Sequence, residues 1–380
     1  MIKVLTVFGT RPEAIKLAPV IKQLEADPRF ASVTCVTSQH REMLDQVLDV
    51  FGIVPDHDLA VMTPAQSLAD VTAKVVHKVG EVVASEHPSI VLVQGDTTTT
   101  FAASLAAFYH KTPVGHIEAG LRTSNKYQPF PEEINRRLTT VLADYHYAPT
   151  AISRGNLLRE GIDSQRILVT GNTGIDALLM ALDRARQNGR IDNAHIDRAL
   201  DEEGKRLVLV TAHRRESFGA PFESICDALR RIAERNTDVT VVYPVHLNPQ
   251  VRRPVLEHLT RCPRIRLIEP LDYLSFVQMM DRAYLILTDS GGIQEEAPAL
   301  GKPVLVMRST TERPEAVEAG SARLVGTSAE TIASAVQALL DDAAMYEQMS
   351  LARNPFGDGH ASERIAGHIL EVLEGRKALA

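Results

Sequence analysis

Tryptophan is absent from the 380 residues, cysteine occurs three times, and 41 basic side chains are outnumbered by 48 acidic ones. Without Trp, and with only 10 Phe and 8 Tyr, the chain has little material for the aromatic platforms on which bases or glycan rings stack. Cys35, Cys226 and Cys262 are odd in number and far apart, so they offer neither a disulfide framework nor a CxxC metal or redox pair. A reducing, cytoplasmic setting fits that cysteine usage. A net charge of −7 lacks the basic stripe that a nucleic-acid backbone demands, so any bound anion must meet local positive charge. No apolar run is long enough for a membrane span, and the opening MIKVLTVFGT has no small-residue cleavage site behind it, so neither a membrane partner nor a targeting segment is expected. The first glycine-containing turn, GTRPEAIK, is not a GxGxxG, and GxxxxGK[ST] is missing. NAD and ATP therefore have no signal here, no metal cluster is spelled out, and no cofactor is expected.

What is present is a rhythm. Short β-branched runs, each followed by Gly, Pro, Asp or Thr punctuation and then by helical apolar spacing, give βα units of a parallel sheet. Strands are expected at 3–8, 33–37, 90–94, 114–118 and 145–148, and again at 207–211, 239–243, 266–268, 285–288 and 304–307. At about 150 residues per domain the length allows two to three domains, and the polar stretch 189–205 marks a junction between 169 and 205. The expected fold class is thus α/β with two doubly wound halves: 1–171, 172–360, and a final amphipathic helix over 361–380. In open α/β sheets ligands lie beyond the carboxyl ends of the strands, so function is sought there.

After the first strand, Arg11 and Lys16 sit at or just inside a helix N-terminus behind Pro12. The macrodipole disfavours cations there, and an anion such as a diphosphate would relieve the conflict; the plain alternative is a solvated Arg and a Lys paired with Glu13. Asp96, after the run 90–94, either caps the next helix or does chemistry. Glu118 closes an otherwise apolar strand, where a charge must be paired or functional. Glu132 opens another helix, where Glu132 with Arg136 and Glu133 with Arg137 make ordinary i,i+4 pairs. Three carboxylates on one rim push their pKa values apart, which is how one site holds both an acid and a base. In the second half, His213 precedes Arg214 and Arg215, His246 falls at another strand end, and Ser290-Gly291-Gly292 opens a helix as an anion cradle. One of Glu295 or Glu296 is placed to accept from a ribose diol, and Arg313 lies in a further positively charged turn.

Assembled, GTRPEAIKLAPV (9–20), QHREMLDQVL (39–48), GDTTTT (95–100), HIEAGLR (116–122), PFPEEINRR (129–137), TAHRRESFG (211–219), YPVHLNP (243–249), DSGGIQEEAP (289–298) and TERPEA (311–316) closely resemble the non-hydrolysing UDP-N-acetylglucosamine 2-epimerases over essentially the whole chain. The SGG-plus-EE segment is shared with two-domain glycosyltransferases; the combination with GTRPEAIK, GDTTTT and the EAGLR and PEE segments is far more specific. The resemblance implies two Rossmann-like domains in a glycosyltransferase-B-type arrangement, an active site in the inter-domain cleft, and a last helix crossing back to the first domain. It implies Asp96, Glu118 and Glu132 as the acid/base set, with His213 assisting the leaving diphosphate. Arg11, Lys16, His246, Ser290, Gly291, Gly292, Glu296 and Arg313 match UDP-binding positions, Phe276 a uracil-contacting one, and Arg136 would contact the sugar or orient Glu132. Some members carry Gln at Leu271, so a contact there would be through backbone. Gln39, His40 and Arg41 match a segment near which some members bind a second UDP-N-acetylglucosamine as activator, although Glu42 would disfavour a diphosphate. A homodimer is implied as well.

The implied reaction interconverts UDP-N-acetylglucosamine and UDP-N-acetylmannosamine for cell-surface polysaccharide. Its C2 proton is not adjacent to a carbonyl, so the enzyme must oxidise C3 or expel UDP as the proton leaves. Without a dinucleotide fingerprint, elimination to 2-acetamidoglucal and re-addition is the simpler route, and two faces of C2 need two proton-transfer groups. A glycosyltransferase on the same scaffold, a hydrolysing epimerase releasing N-acetylmannosamine, and a binding protein without turnover remain the competing expectations.

Overall fold

The computed structural model describes residues 1–37, 41–63, 66–188 and 205–379. Residues 189–204 of the polar stretch within the expected 169–205 junction, and Gln39 and His40 of the candidate activator segment, lie outside the described residues; Arg41 is the first residue of a helix. The chain forms two compact units, Met1–Met180 with Phe356–Ala380, and Ala181–Pro355.

In the first unit the βα rhythm gives β1 (Ile2–Phe8), α1 (Arg11–Ala26), β2 (Phe30–Val36), α2 (Arg41–Phe51), β3 (His57–Asp58), α3 (Leu68–Glu86), β4 (Ile90–Gln94), α4 (Thr98–Tyr109), β5 (Val114–Ile117), α5 (Glu132–Leu142), β6 (Tyr145–Ala148), α6 (Ala151–Arg159), β7 (Ile167–Val169) and α7 (Thr173–Asn188). The seven strands pair in parallel in the order β3-β2-β1-β4-β5-β6-β7. Continuous apolar runs such as IVLVQ are buried along their whole length, as a sheet covered on both faces requires. Small residues let α4 lie close to α3: Ala102, Ala103, Ala106 and Ala107 share one core with Val71, Val75, Val79 and Val83. The final helix, α15 (Ala361–Leu379), packs along α1. It is latched by the buried Asp176 carboxylate, which accepts from the Ala361 and Ser362 N–H groups at 3.2 and 2.8 Å. The Asn172 N–H also donates to Phe356 O at 2.6 Å. The unit limits therefore fall at 180 and 356 rather than at 171 and 361, because the start of α7 and the returning segment bond to each other.

The second unit runs β8 (Arg206–Thr211), α8 (Ala220–Arg235), β9 (Val239–Pro244), α9 (Pro249–Leu259), β10 (Ile265–Ile268), α10 (Tyr273–Arg282), β11 (Leu285–Thr288), α11 (Gly291–Glu296), β12 (Val304–Val306), α12 (Pro314–Glu318), β13 (Ala322–Leu324), α13 (Ala329–Asp341) and α14 (Ala343–Ser350). Its six parallel strands are ordered β10-β9-β8-β11-β12-β13. Both halves are Rossmann-like α/β layers. The edge strands β3, β7 and β13 were not expected, since two or three residues cannot display a period. Among the described residues no helix is long and apolar enough to cross a membrane.

One pair of core residues breaks the apolar rule. His116 on β5 and His146 on β6 are register partners and fully buried. The His116 Nε2 bonds to Gly95 O at 2.7 Å, while His116 Nδ1 and both nitrogens of His146 have no partner among the described residues. Burial first, with nearby positive charge adding to it, drives the His116 pKa down to about 4 and that of His146 to about 3. Both rings stay neutral in the fold while the unfolded chain takes up protons below about 6.5. Stability is therefore full above that pH and is lost as pH falls toward 4, by about 2 kcal/mol per histidine at pH 5. Urea unfolding at pH 8 and pH 5 is expected to show this loss, and His146→Phe, which sacrifices no hydrogen bond, is expected to reduce it by roughly half; an unchanged pH dependence in the variant would refute the assignment.

Candidate active site

The carboxyl edge of the first sheet is built by a capped helix and three short turns. Thr10 is the N-cap of α1, Glu13 completes a capping box with it, and Pro12 occupies the first turn. Glu13 is thus the capping residue and not the partner of Lys16. The Lys16 ammonium instead pairs with Glu118 Oε1, so the cation that the macrodipole disfavours is compensated by a protein carboxylate. Arg11 is half-buried and its guanidinium has no hydrogen-bond or ion-pair partner among the described residues.

Glu118 does not close β5. The strand ends at Ile117, and Glu118 sits one residue beyond in the left-handed region at φ 64°, a conformation costly for a residue with a side chain. The strain re-aims the carboxylate. Oε1 meets Lys16 and, at 3.4 Å, Asn172 Nδ2, while Oε2 accepts from Gln94 Nε2 at the end of β4. Two residues on, Gly120 has φ 92°, and a Cβ there would lie 2.3 Å from Ser153 O; only glycine fits.

Asp96 follows β4 in the same rim. Arg136 Nη2 donates to its Oδ2 at 2.6 Å and Asn135 Nδ2 to its main-chain oxygen at 3.0 Å. The expected Glu132–Arg136 pair is therefore not formed: Arg136 reaches across to Asp96, and Glu132 has no hydrogen-bond or ion-pair partner among the described residues. The Glu133–Arg137 pair is formed at 2.9 Å. Glu133, fully buried, also accepts from the Thr123 N–H at 3.0 Å, which fixes the loop between β5 and α5. Burial raises the Asp96 pKa; Arg136 and Lys16 oppose that rise, and Glu118 and Glu132 reinforce it. Asp96, Glu118, Glu132, Lys16 and Arg136 are thus one electrostatic cluster.

The strand ends of the second unit gather histidine, arginine and free main-chain groups. Asp289, fully buried after β11, accepts at Oδ2 from the His213 and Arg214 N–H groups, both at 2.7 Å. Its Oδ1 lies 3.6 Å from His213 Nδ1. The His213 ring stacks on His246 at 5.3 Å with the planes 13° apart. Burial lowers the His213 pKa, Asp289 opposes that, and His246 and Arg214 add to it. His246 Nδ1 accepts the Asn248 N–H at 3.0 Å, which leaves the proton of the neutral ring on Nε2. Ser290 caps α11 through its backbone with no side-chain cap bond. Gly291 and Gly292 follow, and side chains there would meet nothing closer than 3.7 Å, so no protein contact demands glycine at either position.

Arg313 pairs with Glu295. The buried Arg308 bonds to Glu312 through Nη1 and Nη2 at 2.9 and 3.2 Å and to Glu216 through Nε at 2.6 Å, and its contact holds the Glu312 pKa near 2 against the opposing effect of burial. Leu271 precedes the N-cap Asp272 of α10, and Phe276 on that helix is only half-buried. Gln94, Asn172, Asp289 and Arg308 carry these clusters, and the sequence pattern does not point to them. An amide at a strand end or an Arg among neutral residues has no distinctive spacing, although Asp289, next to the glycine pair after a strand, did have one.

A family model described as UDP-N-acetylglucosamine 2-epimerase matches residues 22–370. The chain belongs to the UDP-N-acetylglucosamine 2-epimerase family. It is 57% identical to the UDP-N-acetylglucosamine 2-epimerase of Salmonella typhimurium over 96% of this chain and 97% of that one. It is 55% identical to the Escherichia coli enzyme over 99% of both. The solved Neisseria meningitidis UDP-GlcNAc 2-epimerase, bound to UDP-GlcNAc, superposes with a TM-score of 0.85 at 49% identity, covering 97% of this chain and all of that one. An enzyme of this family is an isomerase, and the two Rossmann-like domains are the fold its solved members share.

The Asp96 cluster makes a direct test. Arg136→Gln in this epimerase removes the cation that opposes desolvation, so the Asp96 carboxyl is expected to titrate at higher pH than in the wild type when followed by carbon-13 NMR. A titration that moves to lower pH would overturn the role given to Arg136.

Proposed function

We propose that this epimerase interconverts UDP-N-acetylglucosamine and UDP-N-acetylmannosamine without hydrolysis, by eliminating UDP and adding it back, and that the manno product supplies cell-surface polysaccharide. In the forward half-reaction a carboxylate takes the C2 proton, the C2–H electrons form the C1=C2 bond of 2-acetamidoglucal, and the C1–O electrons leave with the diphosphate. In the return half-reaction the diphosphate oxygen attacks C1 and a protonated group delivers its proton to the opposite face of C2. Asp96, Glu118 and Glu132 are the proton-transfer groups.

The observation that carries this reading is the carboxylate cluster at the edge of the first sheet. It holds one acid with a raised pKa, Asp96, beside Glu118, which is committed to a lysine. A carboxyl with a raised pKa is suited to deliver a proton near neutral pH. Arg11, Lys16, His246 and Arg313 are nucleotide-binding groups, Ser290, Gly291 and Gly292 a main-chain cradle, His213 assists the leaving diphosphate, and Arg136 contacts the sugar or orients the carboxylates. Glu296 receives the ribose, and Leu271 and Phe276 flank the uracil. An incoming diphosphate raises the His213 pKa and so favours the protonated form that assists departure of UDP.

Incubation with UDP-N-acetylglucosamine in deuterated water, followed by NMR, is expected to put deuterium at C2 of both sugar nucleotides. Free N-acetylmannosamine with UDP would show the hydrolysing reaction instead, and substrate with its C2 proton intact would overturn the proposal. Asp96→Asn is expected to lower turnover by on the order of 10²- to 10⁴-fold with UDP affinity, measured by calorimetry, close to wild type. Undiminished turnover would remove Asp96 from the reaction.

A further inference from the structure

Glu13 is 1% exposed, in the first turn of α1. A capping box needs one of its oxygens, and Oε2 serves: it accepts from the Gly9 N–H at 3.2 Å, the Thr10 N–H at 2.8 Å and the Thr10 hydroxyl at 2.7 Å. Capping does not account for the other oxygen or for the burial. Oε1 reaches across to the next βα turn, where the Thr97 hydroxyl donates to it at 2.7 Å and the Thr100 hydroxyl lies 3.1 Å away. Thr97 is the N-cap of α4, and its hydroxyl accepts the Thr100 N–H at 3.1 Å. Asp96 is the residue immediately before it.

Other side chains hold the same turn: His116 bonds to Gly95 O, Asn135 to Asp96 O and Arg136 to the Asp96 carboxylate. Glu13 differs from these in spanning two strand-end turns with one carboxylate, the one that begins α1 and the one that carries Asp96. Burial raises its pKa, and the hydrogen bonds from Thr97, Thr10 and Gly9 work against that rise, so a group that costs free energy to bury is retained where two functional turns meet.

We propose that Glu13 is a positioning residue for the epimerisation reaction, setting the place of Asp96 through the Thr97 hydroxyl. This rests on the assignment of Asp96 to proton transfer. The link works through geometry. Displacing a proton-transfer group by a fraction of an ångström costs turnover while groups that bind the nucleotide elsewhere are untouched.

Three variants test it. In Glu13→Gln the amide oxygen must stay on the Gly9 and Thr10 N–H groups, so the amide nitrogen faces Thr97: the Thr97 hydroxyl loses its carboxylate acceptor, and any remaining bond runs the other way, to an oxygen that already accepts the Thr100 N–H. Thr97→Val removes the hydroxyl and Thr97→Ser keeps it. Glu13→Gln and Thr97→Val are each expected to lower kcat for C2 exchange about ten- to a hundredfold, with KM and UDP affinity within about twofold of wild type and a Tm that falls by no more than about 5 °C. Thr97→Ser is expected to restore the rate, and the double variant Glu13→Gln/Thr97→Val to be no slower than the slower single one. A wild-type kcat in Glu13→Gln, equal changes in kcat and KM, or additive losses in the double variant would overturn the proposal. Main-chain amide exchange over residues 95–97 reads the same link without turnover: faster in Glu13→Gln if the proposal holds, unchanged in Glu13→Gln if it fails. Wild-type protein that exchanges no deuterium at C2 would instead defeat the epimerisation reading, and the amide exchange would still decide whether Glu13 holds the Asp96 turn.

Discussion

The first unit's rim depends on the carboxylate of Glu118. It draws together Lys16 from α1, Gln94 from β4 and Asn172 from the turn after β7, so the ends of separate βα units are tied to one anion. A carboxylate so buried requires this pairing, because an uncompensated charge there would cost several kcal/mol. The strained φ of Glu118 belongs to the same arrangement. Strain at one residue persists when the surroundings over-determine it, and here a cation and two amides do so.

The second unit uses the same device with different partners. Asp289 takes two main-chain N–H groups of the turn after β8, and Arg308 takes two glutamates. Rim charges are therefore largely spent on each other. The chain's acidic balance is compatible with anion binding because the relevant charge is local. A few groups remain outside this pairing: Arg11, without a partner among the described residues, and His213, poised between burial and Asp289.

The sheets were legible because apolar β-branched runs are long where both faces are covered: IVLVQ and LVLVT can be read directly as strands. The edges were not, since His57–Asp58 and Ala322–Leu324 pair only because a neighbouring strand offers its free side. Rim positions of Asp96, Glu118 and Glu132 follow from the strand ends, but their partners do not. Helical spacing offers Arg136 to Glu132, whereas tertiary structure gives it to Asp96. Spacing offers Glu13 only as a partner for Lys16, whereas the fold caps α1 with one of its oxygens and engages the other at Thr97 and Thr100.

The Asp176 latch and the Asn172 bond to Phe356 give the two units different histories during synthesis. Residues 181–355 form a unit continuous in sequence, able to close its core as soon as its last strand and helices leave the ribosome. The first unit is discontinuous. Its sheet is synthesised first, yet the part of α1 that packs against α15 stays uncovered until that helix is made. The half that begins the protein is thus the last to be finished.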